Sequence, residues 1–169
     1  MPAAAHPSLA PIFSVDEATH TITFSRALRG TPEQAFAAWT DPRQVALWWD
    51  PTGEPLWLCE IDLRVGGTFR FLSASRPDMP FSGVYREIAP PRRLVFDAMG
   101  AEGRVAFDPS GDGTSMTVEI VCADRAHLQQ FVAMGVAAGT SGTLDNLVAH
   151  MSTATTSTGS GADDVEGDA

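Results

Sequence analysis

The sequence predicts an α+β domain: a curved antiparallel sheet of about seven strands, two short helices after the first strand, and a long C-terminal helix over an internal cavity. Three observations carry this. From Leu56 to Val121 strand-like runs follow one another with only short turns between them, leaving no room for the crossover helices that parallel pairing needs. After Asp124 the apolar period becomes helical, with Leu128, Phe131, Val132, Val136, Leu144, Leu147, Val148 and Met151 on one stripe. The stripe and the inner sheet face each need an apolar partner, and each supplies it to the other. A straight helix cannot follow a strongly curved sheet along its whole length, so the gap between them is a natural ligand cavity.

The elements follow in order. The first 16 residues are rich in Pro and Ala and are expected to be a flexible N-terminal segment. The folded unit is then expected over residues 17–151. Between His20 and Leu28, "HTITFSRAL" alternates, with Ile22, Phe24 and Leu28 on one face and Thr21, Thr23 and Ser25 on the other, as in a half-buried strand. Thr31, Pro32 and Gln34 read as a capping box that starts a helix. Asp41, Pro42 and Gln44 repeat the device ten positions on, so a second short helix follows directly.

The strand runs are "LWLCEIDLRV", "TFRFLS" after the Gly66-Gly67 turn, "FSGVYREI", "RRLVFDAM", "GRVAFD" and, after "PSGDG", "TSMTVEIV". Gly135, Gly139 and Gly142 interrupt the final helical stretch, each costing about 1 kcal/mol relative to alanine. A helix break is expected near Gly135 and cavity space at Gly139. From Ser152 the chain turns Ser/Thr/Gly-rich and then acidic, so residues 152–169 are expected to be a disordered acidic tail.

Composition narrows the function. A chain of 169 residues with 44% hydrophobic and 19% charged positions suits one domain with a sizeable core. The net charge of −10 argues against nucleic acid or an anionic membrane as partner. No stretch has the length of a membrane span, and the N-terminus lacks the pattern of a signal peptide, so a cytoplasmic location is expected. All eleven basic residues are arginine, which excludes Schiff-base chemistry and a Walker-type phosphate loop. Cys59 and Cys122 are isolated in strand-like runs, so reduced thiols are expected rather than a disulfide or a metal site. No cofactor is implied.

The stretches "AFAAWTDPRQVALWW", "CEIDLRVGGTFRF", "FSGVYREIAPPRRLVF" and "GVAAGTSGTLDNLVAHM", in that order, resemble the bacterial branch of proteins similar to the C-terminal domain of the heat-shock-protein-90 ATPase activator. That branch lies in the START/Bet v 1-like (SRPBCC) superfamily. The resemblance covers roughly Thr21 to Met151 and implies a helix-grip fold with a mainly apolar pocket. It implies little about activity. One position departs: after the glycine here numbered Gly139 the family pattern has a tryptophan, and this chain has Thr140.

Candidate ligand-lining residues follow from inward alternation. Trp57, Phe69, Phe71, Tyr85, Phe96 and Phe107 are expected on the inner sheet face, Phe131 and Gly139 on the covering helix, and Trp48 or Trp49 at the cavity mouth. Each aromatic is equally well read as plain core. Adjacent helical residues point about 100° apart, so one indole of "WW" is expected to anchor its helix while the other faces the mouth. Tyr85 stands out because an inward phenol needs a hydrogen-bond partner.

Nothing marks a catalytic centre. His6, His20, His127 and His150 are scattered, and Glu60, Asp62 and Glu87 read as exposed strand positions that Arg70 or Arg86 could pair. The first reading is therefore a protein that binds a small hydrophobic molecule, as monomer or weak dimer. A chaperone-associated interaction module comes second, and a cyclase- or hydrolase-like enzyme third. The short "WW" helix is expected to act as a gate, since it has little hydrogen bonding of its own.

Overall fold

The computed structural model describes residues 13–159, with side chains through residue 153. The residue-1 to residue-12 part of the proposed N-terminal segment and the tail beyond residue 159 lie outside the described residues. Eight strands form one antiparallel sheet in the order β1-β2-β8-β7-β6-β5-β4-β3. They are β1 (Phe13–Asp16), β2 (Thr21–Arg29), β3 (Leu58–Ile61), β4 (Thr68–Leu72), β5 (Phe81–Ala89), β6 (Arg93–Ala98), β7 (Ala101–Ser110) and β8 (Gly113–Val121). Four helices complete the chain: α1 (Pro32–Thr40) and α2 (Pro42–Trp48) after β2, then α3 (Arg125–Ala133) and α4 (Val136–Gly159).

The eighth strand is the first departure from expectation. Phe13 to Asp16 pair with Phe24 to Thr21 as the outer strand of a hairpin, so ordered structure begins before residue 17. Four residues are too few for alternation to be read, but Phe13 packs on Phe24 at 5.8 Å between ring centroids. At the other end α4 continues past Met151 to Gly159. Most of the residues there are Ser and Thr, which are weaker helix formers than Ala, yet extending an existing helix adds a backbone bond for each residue fixed.

Local rules account for the helix boundaries. Thr31 closes a reciprocal capping box with Gln34. Asp41 ends α1 and caps α2 at once: its N–H donates to the Ala37 carbonyl and its carboxylate accepts from the Arg43 N–H. With that N–H occupied no second capping box can form, and the Gln44 amide instead meets His150 on α4 at 3.0 Å. The break between α3 and α4 falls at Gly135, whose φ of +81° is accessible to glycine and strained for other residues.

The core lies between the concave sheet face and the helices. Ile22, Phe24, Leu28, Val105, Phe107, Met116, Leu144 and Leu147 are buried there. Arg26 shares that face of β2, and α4 accommodates it with Asp145 at 3.1 Å and the Ser141 hydroxyl at 2.8 Å. One extra residue, Arg86, interrupts the β5–β6 register between the pairs Tyr85↔Phe96 and Glu87↔Val95. This bulge bends the sheet beside the inward-facing Tyr85.

Candidate functional site

The segment that carries the two tryptophans sits where α2 meets the N-terminal half of α4. Trp48 is 1% exposed and its Nε1–H donates to the Ala38 carbonyl at 3.0 Å. It is the anchor. Trp49, the C-cap of α2, turns the other way and packs edge-on against Phe71 at 4.9 Å and tilted against Phe81 at 5.1 Å. The two indoles thus have different surroundings.

Both ends of α2 are tied down from outside. Thr143 Oγ1 donates to the Trp49 carbonyl at 3.1 Å, Asn146 Nδ2 to the Asp50 carbonyl at 3.0 Å, and His150 bonds Gln44. Thr143, Asn146 and His150 lie three and four residues apart on one face of α4; the first two satisfy carbonyls that the end of a short helix leaves unpaired, and His150 holds the Gln44 side chain in the first turn. The backbone of α2 is thus better held than its length implies, and whatever moves at this corner is a side chain.

Beyond Trp49 the structure opens into a cleft of about 700 Å³. Its floor is Trp49, Phe71 and Phe81, and its rim includes Asp50, Ser73, Ser75, Arg76, Met79 and Met99. A lobe of about 290 Å³ shares Trp49, Pro51, Arg76, Phe81 and Met99 and runs against α4 at Gly139, Thr140 and Thr143. No atom lies within 4 Å of where a Cβ on Gly139 would stand. Thr140 lines the same lobe, so the position where the family carries an indole is here part of the open space.

Asp50 is the polar feature of the cleft. It is 1% exposed, and its carboxylate accepts from the Thr52 N–H at 3.1 Å and the Ser75 hydroxyl at 3.4 Å. These bonds fold the chain after α2 and hold the loop between β4 and β5 against it. Three exposed methionines, Met79, Met99 and Met134, border the cleft from three different connections, β4–β5, β6–β7 and α3–α4. Unbranched thioether side chains adapt to irregular apolar shapes at little cost.

The enclosed apolar cavity expected behind this mouth is almost filled. The inner space bounded by Trp39, Trp49, Phe69, Phe71, Tyr85 and Phe96 holds only about 10 Å³. The reason is ring packing: Phe69 lies 5.2 Å from Phe71, 5.1 Å from Tyr85 and 5.4 Å from Phe96. The structure therefore offers an outer cleft and a nearly filled inner space, both bordered by Trp49.

Three of the residues singled out from the sequence fall elsewhere. Trp57 is 65% exposed, because the strand begins one residue later, at Leu58, and the indole stands outside the sheet's inner face. Phe107 is fully buried against Phe36 at 6.1 Å, and Phe131 packs on His127 at 4.4 Å. Both are core, away from the cleft. Phe81, Leu56, Asp50 and Arg76 line the cleft without having been singled out. Phe81 alternates with Gly83 and Tyr85 on β5 and could have been found that way.

The titratable groups support structural roles. Glu60, Asp62 and Glu87 are exposed; Arg64 pairs with Asp62, Arg93 with Glu87, and Arg86 with Asp97 across the sheet. Burial, with a smaller contribution from Asp41, pushes the Cys59 thiol up to about 11, and burial likewise raises Cys122, so neither is a ready nucleophile. Among the described residues no three His, Cys, Asp or Glu side chains are grouped as a metal site requires, and no helix is long and apolar enough to cross a membrane.

Comparison with known proteins agrees with the fold. A Mycobacterium smegmatis protein of known structure superposes with a TM-score of 0.73 at 21% identity, covering 84% of this chain and 97% of that one. CalU16 from Micromonospora echinospora gives 0.58 at 24% identity, with coverages of 78% and 76%. The AHSA1-like protein from Aeromonas hydrophila gives 0.66 at 24% identity, with coverages of 87% and 99%. No curated protein matches. Residues 29–152 match the model of the family described as Activator of Hsp90 ATPase homolog 1-like protein, and the chain belongs to that family.

Proposed function

We propose that the protein binds a small hydrophobic molecule in the cleft beside Trp49. The observation that carries this reading is an open cleft onto which Trp49 and Phe81 present partly exposed rings, backed by the buried Phe71. Apolar surface of this kind gains about 25 cal/mol for each Å² that a ligand covers, and the adjoining lobe at Gly139 gives the molecule room to extend along α4. The few polar groups at the rim supply orientation, as in most small-molecule sites.

Native mass spectrometry of the full chain against a library of apolar metabolites tests the reading. A retained ligand is expected, with retention lost in a Phe81→Asp variant that keeps its circular dichroism spectrum. Absence of any retained ligand, or retention indifferent to Phe81→Asp, refutes it.

A second reading, a chaperone-associated module, has one structural observation in its favour. Leu47, Trp57, Leu63 and Val65 are exposed around the outer strand β3, and exposed apolar side chains beside a sheet edge suit protein contact. A pull-down with a chaperone ATPase, repeated with Trp57→Ser, separates this reading from the first.

A further inference from the structure

The methionines of the described residues fall into two sets. Met79, Met99 and Met134 are 64%, 53% and 58% exposed, and each lines the outer cleft or its lobe. Met116 and Met151, at 0% and 3%, are buried in the core. Met99 is the sharpest case. With Gly100 it forms the two-residue turn between β6 and β7, closed by the Ala98↔Ala101 pair, at φ values of +56° and +78°. A turn with positive φ at both central residues favours Asn, Asp or Gly at the first of them, so a bulky methionine sits there against its backbone preference. The turn gives no reason for a thioether. The cleft does, since Met99 alone of the three lines both the main space and the lobe.

The same division decides where a dissolved oxidant reacts. Exposed thioethers are oxidised to sulfoxides, and burial protects the others. The two thiols do not compete: the thiolate is their reactive form, and burial, which holds Cys59 at about 11 and raises Cys122, leaves little of it at neutral pH. A thioether has no proton to lose and reacts at any pH in this range. A sulfoxide replaces a soft apolar rim group with a polar one, and its oxygen, once covered by an apolar molecule, loses its water without gaining a partner.

We propose that Met79, Met99 and Met134 form a reversible oxidation site that controls the cleft: a peroxide converts the three thioethers to sulfoxides, and the polar rim so made releases an apolar occupant. This rests on the reading of the cleft as a ligand site and names what regulates it. In each step a sulfur lone pair attacks one oxygen of hydrogen peroxide, the O–O bond breaks and an S–O bond forms. The other oxygen takes up the proton and leaves as water, so sulfur is oxidised by two electrons and the peroxide reduced by two. Methionine sulfoxide reductases return the thioether, which makes the site a switch rather than a lesion.

The test treats the full chain with hydrogen peroxide and follows it by peptide mass mapping. Met79, Met99 and Met134 are expected to gain one oxygen each well before Met116 and Met151, with the circular dichroism spectrum unchanged. The affinity for a neutral fluorescent probe, N-phenylnaphthylamine, is then expected to fall about tenfold or more, the effect of desolvating a polar rim, and to return after incubation with methionine sulfoxide reductases A and B and dithiothreitol. A chain carrying Met79→Leu, Met99→Leu and Met134→Leu together keeps an apolar rim without sulfur, and its own affinity for the probe should be indifferent to the same peroxide treatment. Oxidation of Met116 or Met151 at the same rate as the cleft set, an affinity unmoved by the three sulfoxides, or an equal fall in the leucine chain overturns the switch and leaves the cleft reading standing. A probe that fails to bind the untreated chain overturns the cleft reading and the switch with it.

Discussion

Thr143 Oγ1 donates to the carbonyl of Trp49 at 3.1 Å, joining α4 to the residue that borders both the outer cleft and the inner space. Threonine to valine keeps the shape and removes the donor. Thr143→Val is expected to destabilise the domain by about 1–2 kcal/mol, because the Trp49 carbonyl loses its partner in a partly buried position. Urea denaturation measures the loss. Amide exchange in α2 should accelerate at the same time, and unchanged exchange there would show that α2 does not depend on α4.

The two adjacent tryptophans should separate in stability measurements. Trp48→Ala is expected to cost about 3–5 kcal/mol, as a large buried aromatic truncation does, and it also orphans the Ala38 carbonyl. Trp49→Ala should cost clearly less, since its ring is partly exposed and bordered by empty space on more than one side. Equal losses at the two positions in chemical denaturation would return both to ordinary core.

At Gly139 helix stability and open space conflict. Gly139→Ala is expected to raise stability by about 0.5–1 kcal/mol, since the residue is helical and its Cβ would meet nothing. Thr140→Trp puts the family's indole into the lobe of about 290 Å³. That variant should keep the melting temperature within a few degrees of the unaltered chain and weaken whatever molecule occupies the lobe. A Thr140→Trp chain that binds the same ligand as tightly would exclude the lobe from the site.

His150 gives stability a pH dependence of known sign. Its partial burial lowers the folded-state pKa below the ordinary histidine value, so folding favours the neutral ring. That contribution is fully present above the unfolded value near 6.5 and is lost as pH falls through the folded value. Stability should therefore decline on acidification from about pH 7 toward pH 5, and His150→Gln should flatten that part of the curve. A slope identical in the two chains, measured by denaturation at each pH, would assign the decline to other groups.

Much of the fold was legible because its signals are local. The Thr31 cap, the alternation of Ile22, Phe24 and Leu28, and the glycine at residue 135 each act within a few neighbours. Arg26 was not readable, because what allows a guanidinium on the inner face is Asp145 and Ser141, more than a hundred residues away in the chain. Trp57 failed for a related reason: alternation was extended one residue beyond the strand that actually forms. The site was legible in kind and not in shape. Alternation places Phe69, Phe71, Tyr85 and Phe96 on the inner face, but how far the rings fill the interior depends on their mutual angles. The tether from α4 to α2 was equally hidden, since its donors and acceptors lie on elements that only the folded chain brings together.

Two glycines on the inner face of the sheet bear on the inner space without being among the residues that line it. A Cβ on Gly103 would stand 2.6 Å from the Phe96 ring tip, and one on Gly83 would stand 2.5 Å from that of Phe69. The rings that wall the space therefore rest in hollows left by missing side chains on the next strand. A methyl group at Gly103 would push on the Phe96 ring alone and shrink the space, whereas one at Gly83 would also meet the Asp97 carbonyl oxygen and so displace strand backbone. The size of this space is thus set partly by what β5 and β7 leave out, and two relatives with identical linings can differ in it through a glycine that no list of contacts would include.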